Sequence, residues 1–499
     1  MKKLITASLV AAVALSSANA TSLSDKLAKL EAEIATLKKQ VKRQNKKINT
    51  VKAHDSGDNI KWSADFRTAI DNINYDMADG KNSYGKNDLM SMRLWLNMAY
   101  APDTNNVFKA QLSMNKAFGA TFANPMGRPF DRFDWTGNEA LNDNTLHVRQ
   151  AYWLYLGEKA FGMDMPWTFS VGRRPSTNGF LANLRDDDPA QSPLGHVINV
   201  EFDGLSSKLD LSNITGVPGM SFKICMGQGS TNAQPLIGSS TPNANGDGSG
   251  LNDIKLGGFI FEPYNDGQFI VKTTWYRAYD LPDMNLDALG QPTGSFTATG
   301  DMEGAALSVL VDGLTDDGYF ADAKIFGSLA WSKTLPSGTG VDFPDGLGGT
   351  VKNPGMLGSA ESETGTSYWI GVQLPVTENG KLGLEFNHGS KYWRPFTYAE
   401  DTMIGSKIAA RGDALEAYFT YQLTDALSTQ LRYTKISYDY TGSNGFFGNS
   451  SGMALKISDL QAASANPGTP PAQKAQIDSI LSQTVEDAQD IRFYIRYRF

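Results

Sequence analysis

The feature that most constrains this chain is a side-chain period of two, repeated from Lys61 onward in segments of about ten residues. In the final segment Ile491, Phe493, Ile495, Tyr497 and Phe499 share one face, and Arg492, Tyr494, Arg496 and Arg498 share the other. Met90, Met92, Leu94, Leu96, Met98 and Tyr100 alternate in the same way with Ser91, Arg93, Trp95, Asn97 and Ala99. A further segment sets Leu146, Val148, Tyr152, Leu154 and Leu156 against His147, Arg149, Trp153 and Tyr155. Residues 368–376 and 415–423 repeat the pattern. Strands of soluble sandwiches also alternate, but average about six residues. After Ala20 no uninterrupted apolar stretch is long enough for a spanning helix. If this chain enters a membrane it must do so as a closed barrel, the one sheet that satisfies every backbone N–H and C=O in lipid.

The connectors sharpen that expectation. Short ones are read at 101–106, 263–267, 377–380 and 424–425. Long ones are read at about 72–88, 117–144, 174–197, 229–251, 280–302, 334–365, 391–410 and 440–487. Tight turns at one rim and long loops at the other belong to an antiparallel transmembrane barrel. Eight long loops imply about 16 strands, in a range of roughly 14–18, with both ends of the barrel on the periplasmic side. The expected fold is therefore an all-β transmembrane antiparallel β-barrel over residues 61–499, preceded by an α-helical coiled coil.

The N-terminal segments differ in kind. Lys2 and Lys3 precede an apolar run and Ser16-Ser17-Ala18-Asn19-Ala20, the layout of a signal peptide over 1–20. Over 21–53, Leu23, Leu27, Leu30, Ile34, Leu37, Val41, Gln44, Ile48 and Val51 recur at alternating steps of four and three, a heptad seam. Leu27, Leu30, Ile34, Leu37, Val41 and Ile48 are its expected oligomerisation contacts; one amphipathic helix lying on the barrel is the alternative. The expected homo-oligomer is a trimer, with a dimer as the second possibility that the a and d residues suggest. The flanks of the seam are basic (Lys38, Lys39, Lys42, Arg43, Lys46, Lys47, Lys52), suited to acidic peptidoglycan or anionic lipid, or simply solvated. Residues 54–60 read as a polar hinge.

Charge and composition exclude several classes. The chain carries −8 overall, made of +2 over residues 1–20, +6 over 21–53 and −16 beyond, so nucleic acid is not an expected partner. A single cysteine, Cys225, excludes an internal disulfide, a cysteine-cluster zinc site and CxxCH haem attachment. The four histidines lack HExxH spacing, and neither GxSxG nor a Walker A motif is present. No enzyme, metal or cofactor is expected.

With Tyr497 and Phe499 closing the last alternating strand, the sequence looks like a bacterial outer-membrane β-barrel, whose assembly machinery reads an aromatic C-terminal strand. Signal peptide, short coiled coil and barrel together resemble a family of epsilonproteobacterial outer-membrane proteins described as a domain of unknown function. Leu146-His-Val-Arg-Gln-Ala-Tyr152 and Val171-Gly-Arg-Arg-Pro175 are similar to the Arg-Ala-Tyr and Gly-Arg strand motifs of several porin families. The resemblance implies a porin-like fold and supplies no substrate.

A barrel of this size encloses water, and its selectivity comes from lumen charges and from any loop folded inside. The strand register turns Arg67, Arg93, Arg149, Arg173, Arg432, Arg492, Arg496 and Arg498 inward as a basic wall; simple pairing with lumen acids is the alternative. General porins of 16 strands fold their third loop inward, with acids facing an arginine cluster. By that resemblance Asp186, Asp187 and Asp188 take the acidic side, against the alternative of an exposed loop. A helix over 472–487, with Ile477, Ile480, Leu481 and Val485 on one face, is expected to cap or plug the mouth. The expected function is an outer-membrane porin-like channel for small hydrophilic solutes or ions. The alternative is a structural or surface-interaction protein, with a plugged or narrow barrel and a coiled coil tethering the envelope.

Overall fold

The computed structural model describes residues 60–120, 141, 144–230, 252–286, 292–315, 318–338, 341–344, 350–353, 357–397, 402–442 and 454–499. The expected signal peptide, the hinge as far as residue 59 and the seam Leu27, Leu30, Ile34, Leu37, Val41 and Ile48 lie outside the described residues.

Sixteen strands close into one antiparallel barrel. The first five are β1 (Lys61–Met77), β2 (Ser83–Tyr100), β3 (Asn106–Ala117), β4 (His147–Gly157) and β5 (Trp167–Arg174). Then come β6 (Phe202–Asp210), β7 (Ser221–Ser230), β8 (Ile254–Asn265), β9 (Phe269–Leu286), β10 (Pro292–Asp312) and β11 (Lys324–Pro336). The ring is completed by β12 (Thr364–Thr377), β13 (Gly380–Gly389), β14 (Gly412–Gln422), β15 (Leu427–Tyr438) and β16 (Val485–Arg498). Each strand pairs with its neighbours in sequence, and β16 returns to β1 with Phe66 opposite Tyr497 and Arg67 opposite Arg496.

The alternation decides which face is which. Phe66, Ile70, Leu415, Phe419, Leu431, Ile491, Phe493 and Ile495 are exposed on the outer wall. Arg67, Asp71, Glu416, Arg432, Arg492 and Arg496, one step out of phase on the same strands, are buried inside. Grease outward and charge inward is the polarity a barrel wall needs where its surroundings are hydrocarbon. Near the tight-turn rim the outer wall carries aromatic rings in contact, Trp153 with Phe169 at 6.0 Å and Tyr155 with Trp167 at 5.2 Å. The turns there are small: Asp266 Oδ1 accepts from the backbone N–H groups of Gln268 (2.9 Å) and Phe269 (2.8 Å), while Gly267 takes φ +96°.

Three expectations need correction. Residues 72–88 are mostly strand, since β1 runs to Met77 and β2 starts at Ser83. Residues 280–302 are likewise mostly strand, in β9 and β10. The polar residues Asn74, Asp76 and Ser83 looked like loop, yet they hydrogen-bond one another across the hairpin. Polarity there marks strands beyond the apolar band, not the end of pairing. The third correction concerns Arg173, which lies on the outer face and donates to Asp203, itself exposed (3.3 Å). Its cause is a β-bulge: Gln111 of β3 faces Gln150 while Leu112 faces Val148, leaving Arg149 as the extra residue of β4. A bulge shifts register by one and exchanges the two faces. Beyond it Trp153 points outward and Tyr152 inward, and Ala151 opposite Arg173 carries the change into β5. Arg174 takes the inward place, with its Nε donating to buried Ser170 (2.7 Å).

Among the described residues, parts of three long connectors pack inside the barrel. Residues 175–201, after β5, send Phe180, Leu181 and Leu184 against Leu310, Phe326 and Trp369 of the wall. Their second half packs Leu194, Val197, Ile198 and Val200 with Ile254, Leu256, Tyr276, Met302 and Ala306. Trp393 and Phe396 of residues 390–411 join that cluster, and Phe396–Thr397 pairs in parallel with Ile198–Asn199. Two helices, α1 (Ile457–Ala465) and α2 (Pro471–Gln483), lie in the connector before β16. Ile457, Leu460, Ile477 and Leu481 bury against Ile73, Ala414, Ile436 and Ala488 on the inner wall. Ile480 packs beside them, so α2 presents Ile477, Ile480 and Leu481 as expected and covers the inside of the long-loop end. It stops at Gln483, short of the expected 487, and Val485 packs there as the first residue of β16.

Candidate functional site

The polar interior is concentrated where the barrel closes. Arg67 stands opposite Arg496 on one side and Arg93 on the other, which brings three guanidiniums into one row. Such a row is tolerable only if acids and aromatic faces share the charge. Asp65 does so: it accepts from Arg496 Nε at 2.9 Å and lies 3.8 Å from Arg93. Asp71 accepts from Arg492 Nε at 2.5 Å. The Arg67 guanidinium sits over the Tyr494 ring at 5.4 Å, and those of Arg93 and Arg149 flank Trp95 at 3.5 and 4.3 Å.

Residues 175–201 cross the lumen to this wall. Arg496 donates to the carbonyl of Asp186 (2.8 Å) and to Asp188 Oδ1 (2.7 Å). Tyr494 Oη donates to Asp186 Oδ1 at 3.0 Å, and Arg498 reaches Asp188 at 3.2 Å. Asp187 turns instead toward β13 and accepts from Lys381 Nζ at 2.7 Å. The loop is also held by its backbone, since Gln373 donates to the Leu184 carbonyl (3.1 Å) and Gln430 to the Arg185 carbonyl (2.9 Å). At Leu181 the chain adopts φ +76°, a strained value for a branched residue that burial on all sides sustains.

Of the arginines expected inward, Arg67, Arg93, Arg149, Arg432, Arg492 and Arg496 are buried within the barrel, Arg498 is partly exposed at its tight-turn end, and Arg173 is outside. Tyr497 and Phe499 keep their rings on the outer wall, 5.6 Å apart. Arg432 lies deeper, 4.0 Å from Glu416. Around Glu416 a buried cluster forms that sequence reasoning missed: Arg185 of the crossing loop (3.2 Å), Thr434 (2.8 Å) and Lys407, which also donates to Glu385 (2.6 Å). Glu416 and Glu385 alternate with outward apolar residues, so period two alone would have turned them inward. Lys407, in a long connector, carried no local signal.

His196 is a further buried group of the crossing loop. Its ring nitrogens stand 2.8 Å from Ser328 Oγ and 2.9 Å from Ser367 Oγ, with the rings of Trp369 and Trp393 at its sides. Burial pushes its imidazole down to about 3, so it is neutral in the folded loop.

Between the crossing loop and β1–β4 lies a cavity of about 740 Å³. Its lining includes Lys61, Lys109, Arg149 and Arg498 on the wall, and Thr177, Asn178 and Asp188 on the loop. On the far side of the loop lies a small apolar cleft of about 60 Å³, beside Arg174, Phe202 and Cys225.

A closed antiparallel barrel of sixteen strands, with a loop tied across its lumen to an arginine-rich seam, defines the class as porin-like barrels. Within it, the family model described as "Protein of unknown function (DUF3373)" matches residues 84–499, and the chain belongs to that family. No curated protein matches the chain. Among solved structures, it is similar to Salmonella typhi OmpF in complex with daunomycin, at 11% identity and TM-score 0.44, covering 89% of this chain and 99% of that one. The trimer form of Vibrio cholerae OmpT is 12% identical, with TM-score 0.40 and coverage of 88% and 99%. An anion-selective porin from Comamonas acidovorans is 10% identical, with TM-score 0.42 and the same coverage.

Proposed function

We propose that this protein is an outer-membrane channel that passes small hydrophilic solutes or ions along the β1–β4 side of its lumen. The observation that carries this reading is the cavity of about 740 Å³ between a charged wall and the crossing loop. Lumen charges facing a loop set a transverse field that favours polar solutes over apolar ones. Asp188 lies in that cavity and accepts from Arg496 and Arg498, so the loop takes part in the field it crosses. Single-channel recording on the purified chain in planar bilayers tests the reading. Replacing Asp186, Asp187 and Asp188 together by Asn should change conductance and ion preference; unchanged values would remove the loop from the pathway.

One set of contacts favours a second reading, that of a plugged barrel with a structural or surface-binding role. Leu194, Val197, Ile198, Trp393 and Phe396 fill the β8–β11 side with apolar packing, and α1 and α2 cover the inner wall at the long-loop end. Liposome swelling separates the two. Entry of small sugars or amino acids supports the channel, and vesicles that stay tight support the plug.

A further inference from the structure

We infer that the cavity beside β1–β4 is a binding vestibule for small organic anions bearing a carboxylate or phosphate group; the inference deepens the channel reading and rests on it for its biological sense. The lining side chains carry four cations, Lys61, Lys109, Arg149 and Arg498, against two carboxylates, Asp65 and Asp188. Arg149, 3% exposed, is paired with buried Glu201 (3.9 Å) and Arg498 with Asp188, so the excess rests on Lys61 and Lys109. Both carboxylates are already engaged. Asp65 is held by Arg496 and stands near Arg93, while Asp188 accepts from Arg496, Arg498 and the Asn178 side chain (2.7 Å). Arg496 is 1% exposed, so it cancels acid charge from between the wall and the crossing loop without facing the solute. Lys109 has no hydrogen-bond or ion-pair partner among the described residues.

Hydrogen bonding points the same way. The Arg149 guanidinium donates to Gln111 Oε1 (3.0 Å), Gln111 Nε2 to Asn97 Oδ1 (2.8 Å), and Asn97 Nδ2 to Ser63 Oγ (3.2 Å). The acceptor oxygens of Gln111 and Asn97 are thus occupied within the wall. Trp95, in the lining and 6% exposed, has an indole N–H with no acceptor among the described residues. A wall with cations in excess and the acceptors of Gln111 and Asn97 already used is complementary to a solute that brings oxygens and negative charge. A volume of about 740 Å³ suits a hydrated organic anion rather than only a bare ion.

The test uses the full-length protein with inorganic phosphate and succinate as probes. In planar bilayers under a KCl gradient, the reversal potential should show anion preference. Lys61→Gln with Lys109→Gln should lower that preference by roughly tenfold, while Lys109→Arg should retain it. In detergent, titration calorimetry should show saturable binding of succinate or phosphate that the double variant weakens. A conducting channel with cation preference and no saturable anion binding would overturn the vestibule and leave the channel reading standing. Saturable binding without conductance would overturn the channel reading and keep the vestibule. Absence of both would remove the two together. Heat-modifiable migration on gels confirms that each variant is folded.

Discussion

The two sides of the lumen are made by the same alternation and end as opposite interiors. Along β1–β4 and β16 the inward positions are Asp65, Arg67, Arg93, Arg149 and Arg496, and the loop meets them with Asp186 and Asp188. Along β8–β11 they include Leu256, Tyr276, Met302 and Ala306, and the same loop meets them with Leu194, Val197 and Ile198. One side therefore keeps an open polar cavity while the other becomes a packed core. What separates them is the chemistry of the inward residues, because a single segment, residues 175–201, supplies both surfaces. The lesson is that strand number bounds the width of a barrel, whereas the polarity of its inner face decides how much of that width remains water.

That contrast can be broken from the charged side with the largest effect. Replacing Arg496 by Met leaves Asp65 buried without its guanidinium and unties the carbonyl of Asp186 and the side chain of Asp188. Stranding one member of a buried pair costs about 3–5 kcal/mol. The folded band on semi-native gels should then be lost at clearly lower temperature. The packed side is probed by Gly365→Ala, whose Cβ would fall 2.1 Å from the backbone nitrogen of Trp393. Overpacking of this kind costs about 1–3 kcal/mol. It should displace residues 390–397, raise their sensitivity to protease and enlarge conductance, without altering ion preference.

The smallest effect expected is on pH. The unfolded imidazole of His196 titrates near 6.5 and the folded one at about 3. Between those values the unfolded state binds the extra proton, so the contribution of the neutral ring is complete above 6.5 and is lost as pH falls toward 3. The wild type should lose loop protection, followed by hydrogen exchange, more steeply over that window than His196→Gln.

Much of the ring is legible in the amino-acid sequence. Period two, together with closure of the last strand on the first, turns Arg67 and Arg496 to the same inner face; that they stand opposite one another is a matter of register. The outward turn of Arg173 was not legible, since a bulge at Arg149 has no signature in alternation alone and exchanges the faces of everything after it. The filling of the lumen left a trace that could have been read: Leu181, Leu184, Leu194, Val197 and Ile198 are too apolar for a connector bathed in water. The pairing of Lys407 with Glu385 and Glu416 joins a connector to two strands and depends on the tertiary path alone.

The salt bridges at Arg496 also carry a consequence for the order of assembly. Asp65, Asp188 and Arg496 come from the first strand, a loop less than halfway along and the last strand, so their meeting requires the ring to be shut. Contacts between such distant parts of a chain form late. The loop's link to Arg496 thus acts as a bolt that can slide home only after the door has closed, and a barrel stalled before β16 docks would hold its loop only by the ties to β12–β15.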